Sequence, residues 1–312
     1  MSAPRVAVLA GGLSHERDVS LRSGARVAQA LRVSGCEVVV LDADAQLLPR
    51  LAQEAPDVVF PVLHGAVGED GALRDVLELL GLRYVGSRPG ACRTAWDKPV
   101  AAGVVAAAGV AVPGEVALPH ATFRDLGAHA VLAAAVSWAG LPLVVKPARG
   151  GSALGVSVVR EERDLARAVA ECFAYGDTAV VQRHVAGTEV AVSVVELAGE
   201  LRVLPAVEVV ADGGYDHEAR YTAGRAEFFT PARLPESVAQ RVADAARTAH
   251  TALGLRHLSR VDLVVREDGE PVFLEANAAP GTTETSLLPQ AVAAAGMEPD
   301  TVYRALVDGA LR

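Results

Sequence analysis

Isoleucine is absent from this 312-residue chain, asparagine occurs once, at Asn277, and lysine only twice, at Lys98 and Lys146. The rest of its 29 basic residues are arginine. Arg and Val can replace Lys and Ile wherever only charge or bulk matters, so the bias points to codon composition and makes the surviving Lys and Asn candidates for chemistry. Aromatics are scarce at 4%, and the 51% apolar content is mostly Ala, Val and Leu, which predicts an aliphatic core. The three cysteines, Cys36, Cys92 and Cys172, show no metal-ligand spacing; isolated buried thiols are expected rather than disulfide or zinc chemistry. Long apolar runs are missing too. The stretches Val104 to Val112 and Val131 to Val145 are broken by Gly, Ser or Pro and fall short of the roughly 18 continuous residues of a bilayer span. The chain starts Met1-Ser2-Ala3-Pro4-Arg5 and runs straight into a strand-like segment, without the h-region of a signal peptide, so a cytoplasmic protein with no membrane partner is expected. A net charge of -9 argues against nucleic acid as a partner, although it leaves room for a local basic pocket.

What is present alternates. Strand-like Val6 to Ala10, a helical pattern from about Asp18 to Val33, strands Glu37 to Leu41 and Val58 to Leu63, and a helix over Ala72 to Leu80 predict an α/β unit with a parallel sheet. The turn Gly11-Gly12-Leu13-Ser14-His15-Glu16 after the first strand lacks the G-x-G-x-x-G spacing of a dinucleotide site. From Lys98 the pattern changes: a helix to Ala108, a strand near Glu115, a helix from Leu126 to Trp138, and strands Leu141 to Lys146 and Val156 to Val159. The last third predicts strands at Val190 to Val195, Val203 to Val210, Ser259 to Val265 and Pro271 to Ala276, with helices at Val238 to Leu253 and Tyr303 to Leu311. Two or three compact units suit this length, and the changes of pattern divide the chain into 1–97, 98–185 and 186–312.

Three constellations carry chemistry. Pro147-Ala148-Arg149-Gly150-Gly151-Ser152-Ala153-Leu154-Gly155 is either an ordinary glycine hairpin or a loop whose N–H groups converge on phosphate, and Lys146 at the end of the preceding strand favours the second. Arg260-Val261-Asp262 and Glu275-Ala276-Asn277 each lie on a predicted strand, where alternate side chains share a face. If the strands pair, Asp, Glu and an Asn carbonyl converge as hard ligands for Mg²⁺; the alternative is an exposed, salt-bridged hairpin. The segment Ala279-Pro280-Gly281 to Ser286-Leu287 opens a helix whose free N–H groups suit a carboxylate, or it is merely a capped helix.

Val145-Lys146-Pro147, the Gly150 to Gly155 loop, Arg260-Val261-Asp262, Glu275-Ala276-Asn277 and Pro280-Gly281 resemble, in order and spacing, the D-alanine:D-alanine ligases. So do His64-Gly65-Ala66-Val67-Gly68-Glu69-Asp70-Gly71, Tyr84-Val85-Gly86-Ser87, Asp97-Lys98 and Tyr215 to Tyr221, so the likeness spans nearly the whole chain. It implies a three-domain ATP-grasp fold: an N-terminal parallel-sheet α/β domain that binds substrate, a central lobe, and a C-terminal lobe carrying metal and catalytic residues. It implies ATP as a substrate, with Lys98, Lys146, Gly151 and Arg220 toward the phosphates, Gln182, Arg183 and Val185 at the adenine, and Glu189 at the ribose. Two Mg²⁺ or Mn²⁺ ions would be held by Asp262, Glu275 and Asn277. Glu16, Ser152, Arg260, Gly281 and Tyr221 would be catalytic, and His64, Ser286 and Leu287 would bind D-alanine. The implied reaction is ligation of two D-alanine molecules through a D-alanyl phosphate for peptidoglycan precursors, by a homodimer.

Ala153, Gln182, His217 and Arg220 depart from the usual pattern of that family. They leave open another ATP-grasp ligase, one joining or cyclising a different amino-acid-like substrate; a nucleotide-binding sensor with a decayed site is a further alternative, against which the intact Lys98, Lys146, Arg260, Asp262, Glu275 and Asn277 argue.

Overall fold

The computed structural model describes residues 3–211 and 226–312. Strands β1 (Arg5–Ala10), β2 (Glu37–Asp42) and β3 (Val58–Pro61) form a parallel sheet in the order β2-β1-β3. Val6, Ala7, Val8 and Leu9 of the central strand have no exposed surface, as an uninterrupted aliphatic run covered on both faces requires. Helix α1 (Arg17–Val33) buries Ser20, Ser23, Gly24, Val27, Ala28 and Leu31, one stripe at helical spacing. Helices α2 (Leu47–Glu54), α3 (Ala66–Glu69) and α4 (Ala72–Leu79) complete this region.

Helices α5 (Pro89–Trp96) and α6 (Lys98–Ala107) meet at Asp97, whose carboxylate accepts the Val100 N–H at 3.3 Å and caps α6. Strands β4 (Glu115–Pro119), β5 (Leu143–Pro147), β6 (Ser157–Val159) and β7 (Thr178–Arg183) then make an antiparallel sheet in the order β4-β7-β5-β6. The helix predicted over Leu126 to Trp138 is two helices, α7 (His120–Leu126) and α8 (Ala128–Ala139), because Gly127 at φ +87° turns the chain between them. With α9 (Glu162–Phe173) they cover Leu143, Val145, Ala179 and Val181. The alternating residues Val144, Lys146 and Gln182 face the other way, into a cavity.

The third sheet is antiparallel: β8 (Thr188–Leu197), β9 (Glu200–Val203), β10 (Val207–Ala211), β11 (Ala226–Phe229), β12 (Leu258–Val265) and β13 (Pro271–Asn277), in the order β11-β10-β8-β12-β13 with β9 also paired to β8. The single strand expected over Val203 to Val210 is thus two strands along one edge of β8, broken at 204–206, where Pro205 offers no N–H to the ladder. One face of this sheet packs Val190, Val192, Val261 and Leu263 under α10 (Glu236–Ala252), together with Cys92 and Ala95 of α5 and Ala101 and Val105 of α6. The other packs Ala191, Val195 and Leu258 with α11 (Leu287–Ala294), α12 (Pro299–Leu311) and, beyond them, Val6, Val8 and Phe60 of the first sheet. Tyr303 of α12 meets Phe60 edge-on, centroids 6.0 Å apart. Among the described residues no helix is long and apolar enough to cross a membrane.

Candidate active site

The second and third sheets face each other across a cavity of about 620 Å³, within the range of small-molecule sites. Lys98, Lys146, Gly151, Gln182, Val185, Glu189, Asp262, Glu275 and Leu287 all line it, so both lysines of the chain reach one space. Lys146 is buried, and desolvation, with Lys98 nearby, pushes its ammonium down to about 8. The Lys98 ammonium donates to the Gly150 carbonyl at 2.7 Å and lies 3.3 Å from the Glu275 carboxylate, tying the glycine loop to the third sheet. In that loop Ser152 and Ala153 hold φ of +51° and +55°, a left-handed geometry that costs non-glycine residues on the order of 1–3 kcal/mol each and concentrates at functional sites.

Strands β12 and β13 pair with Asp262 opposite Glu275 and Arg260 opposite Asn277. Two carboxylates directly opposite repel. Arg260 answers one of them with a fork of hydrogen bonds to Asp262 at 2.7 and 2.8 Å, and Lys98 answers the other. Asn277 Oδ1 accepts the Ala279 N–H at 2.8 Å and keeps a second lone pair. Two partly buried carboxylates on the cavity wall, with the Asn277 amide oxygen on the same strand pair, suit a hard divalent cation. Among the described residues no group of three or more His, Cys, Asp or Glu gathers to hold a metal, so such a cation would depend on phosphate and water for its other ligands.

A second polar cluster adjoins the loop. Ser152 Oγ donates to the Glu16 carboxylate. The backbone of Gly151 lies against both acids: a Cβ there would stand 3.6 Å from Glu16 and 3.8 Å from Glu69. Glu69 accepts the Gly65 N–H at 3.0 Å, and burial, followed by the Glu16 charge, pushes its carboxyl up to about 8. His64 is buried. Its Nδ1 lies 3.2 Å from the Ala279 carbonyl, which can only accept, so Nδ1 carries the proton and Nε2, 3.3 Å away, accepts from the Ser23 hydroxyl. Burial lowers the pKa of this ring, while Glu16 raises it and Arg260 lowers it.

Ser286 stands at the N-terminus of α11, its Oγ 3.0 Å from the Thr283 N–H and 2.8 Å from the Thr283 hydroxyl, and Leu287 begins the helix. A Cβ on Gly281 would come within 2.8 Å of Ser286 Oγ, so this turn needs glycine for close approach. Arg183 turns its guanidinium out of the cavity, onto the Trp138 ring and its carbonyl, and its N–H is taken by the Gly114 carbonyl. Arg220 and Tyr221 lie outside the described residues, as does His217.

A family model for the D-ala D-ala ligase C-terminus matches residues 104–308, and one for the D-ala D-ala ligase N-terminus matches 44–87. A D-alanine–D-alanine ligase of Anaeromyxobacter dehalogenans is 41% identical over 307 residues, covering 98% of this chain and 96% of that protein. The chain belongs to the D-alanine–D-alanine ligase family. A further family member, from Moorella thermoacetica, is 40% identical over 98% of this chain and 99% of its own. Among solved structures, this ligase superposes on a D-alanine–D-alanine ligase from Bacillus anthracis complexed with ATP at a TM-score of 0.83, with 26% identity, covering 99% of this chain and 98% of that one. It superposes on the VanG D-Ala:D-Ser ligase of Enterococcus faecalis at 0.84, with 28% identity and full coverage of both. The fold is ATP-grasp, and the enzyme is an ATP-dependent ligase. Residue reasoning assigned nothing to Glu69, although His64 to Gly71 carried it as a family motif, and nothing to Glu115, Ser23 or Thr283. Those roles depend on contacts across the fold that no local pattern announces.

Proposed function

We propose that this ligase joins two D-alanine molecules, with ATP as the driving substrate, to give D-alanyl-D-alanine, ADP and phosphate for peptidoglycan precursors. The observation that carries this reading is one cavity lined by both lysines and the opposed Asp262–Glu275 pair. ATP would lie with its adenine against Gln182 to Val185, its ribose at Glu189 and its phosphates at Lys98, Lys146 and Gly151. Asp262, Glu275 and Asn277 would hold Mg²⁺ or Mn²⁺, which when bound offsets phosphate charge.

A carboxylate is a poor acyl donor. Glu16 would hold the ammonium of the first D-alanine, with His64 beside it, so that its carboxylate takes the γ-phosphoryl: the bond from γ-phosphorus to the ADP oxygen breaks as a bond to the carboxylate oxygen forms. Ser286 and the Leu287 N–H would hold the carboxylate of the second D-alanine. Its amine, having lost a proton to solvent, attacks the acyl carbon, and Arg260 with the Gly281 N–H would stabilise the oxyanion before the carbon–oxygen bond to phosphate breaks and the departing phosphate takes the extra proton from the new amide nitrogen. By the family resemblance Tyr221 would help exclude water from the acyl phosphate and Arg220 would serve the phosphates, both outside the described residues. The three sheets support a working division into 1–97, 98–185 and 186–312, strapped together by α5, α6, α11 and α12. A cytoplasmic homodimer is the proposed assembly, checked by light scattering against the 32.2 kDa chain.

The test is ADP release with D-alanine as the only amino acid, compared with D-serine and D-lactate as acceptors. ADP release and a dipeptide with D-alanine support the reading; release only with another acceptor moves the substrate to that compound. A chain that binds ATP but releases no ADP with any of these is a nucleotide sensor.

A further inference from the structure

Gln182 is 4% exposed and lines the cavity, and its position on β7 places it between Val144 on one side and Glu115 on the other. Its amide nitrogen lies 2.7 Å from a Glu115 carboxylate oxygen, Oε2. A carboxylate only accepts, so chemistry requires the NH₂ end of the amide to face Glu115, whichever way an amide can be turned. With one of its two N–H groups held there, the carbonyl oxygen of Gln182 is the acceptor that the amide offers to the cavity. The second Glu115 oxygen, Oε1, is buried and has no hydrogen-bond partner among the described residues, so the Gln182 amide is the hydrogen-bond contact of this carboxylate, made from the neighbouring strand β4. Glu115 itself does not line the cavity.

We propose that Glu115 is a positioning residue that locks the Gln182 amide with its acceptor toward the nucleobase, and so makes the site discriminate 6-aminopurine from 6-oxopurine nucleotides. The inference rests on the reading of this cavity as the nucleotide site. An exocyclic amino group donates to a fixed carbonyl oxygen. A 6-oxo group sets one acceptor against another, and the locked amide cannot turn over to relieve it without facing its own oxygen to a carboxylate. A free glutamine would simply flip and accept either base. Discrimination therefore comes from the residue behind the amide and not from the amide alone.

The experiment is titration of ADP and IDP, which differ at the purine 6 position, into the wild-type chain, Glu115→Gln, Gln182→Leu and the double variant. Wild type is expected to favour ADP by roughly 10- to 100-fold, the range for leaving one buried polar group unpaired. Glu115→Gln, whose amide can pair with Gln182 in either sense, brings the ratio close to one by strengthening IDP binding as well as weakening that of ADP. In steady state, KM for ATP rises and KM for ITP falls, and the second change cannot come from a damaged fold. In the Gln182→Leu background the same change at 115 leaves the ratio untouched. An unaltered ratio in Glu115→Gln overturns the proposal while the nucleotide site stands. Equal binding of ADP and IDP by the wild type overturns it without any variant. No binding of ADP at all overturns the nucleotide reading itself.

Discussion

Arg260 is held by Asp262, a residue of the cavity wall, in a two-pronged ion pair only 11% and 17% exposed, so its guanidinium is fixed in place before any substrate arrives. Arg260→Ala is expected to lower kcat by on the order of 10²- to 10³-fold, as loss of an oxyanion donor does, while ADP titration changes little. Unchanged turnover would remove Arg260 from the mechanism. Lys146 yields a pH dependence: its ammonium loses its proton near 8, so ADP affinity should weaken as pH rises through 8, and Lys146→Met should abolish that dependence in the same titration. Glu69 acts on stability in the opposite sense to an ion-paired acid. Its folded carboxyl keeps a proton up to about 8 against an ordinary 4.5, so folding takes up a proton between those values and stability falls as pH rises through the window. Glu69→Gln should flatten that decline in thermal melts from pH 5 to 8; a parallel decline in both proteins would show that Glu69 is not its source.

Among elements, the turn before α11 joins two kinds of specification. Its glycine is needed where a Cβ at 281 would meet Ser286 Oγ, and its hydroxyls interlock through Thr283 and Ser286. Gly281→Ala should raise KM for the second D-alanine roughly 10- to 100-fold, the usual penalty for displacing a positioning group by about an ångström, with ATP affinity preserved. Equal losses for both substrates would point to general damage instead. The β12–β13 pair shows a related economy: its register shifts between Asp262 and Leu263, so the acidic pair and the apolar residues beyond it each keep their own face.

The whole molecule is joined through shared cores. Leu306 of α12 has no exposed surface and sits in the same cluster as Val8 and Phe60 of the first sheet and Val195 of the third. Leu306→Ala should therefore destabilise by about 2–5 kcal/mol, and urea unfolding should show one shifted transition. A separate early transition for part of the chain would mean that the units fold independently. Likewise α5 and α6, which precede the second sheet in sequence, pack under the third.

Residue types and their parity along strands were determined by the sequence alone. Arg260, Asp262, Glu275 and Asn277 could be assigned to shared faces because side chains alternate, and the two lysines stood out because the chain has no others. The strands and helices that periodicity placed recur in the fold, but α2, α5, α9, β7 and β11 were not anticipated by it. Two elements were divided where the sequence reading ran them together, at Gly127 and Pro205, where a single residue interrupts a pattern that otherwise continues. Only the tertiary structure decided that Ser152 reaches Glu16 across 136 residues, that Glu115 stands behind Gln182 from 67 residues away, and that α6 crosses to the third sheet. Local conformational preference sets which face a side chain occupies. What that face meets is set by how sheets and helices bury their apolar sides against one another, and that is a property of the packed chain as a whole.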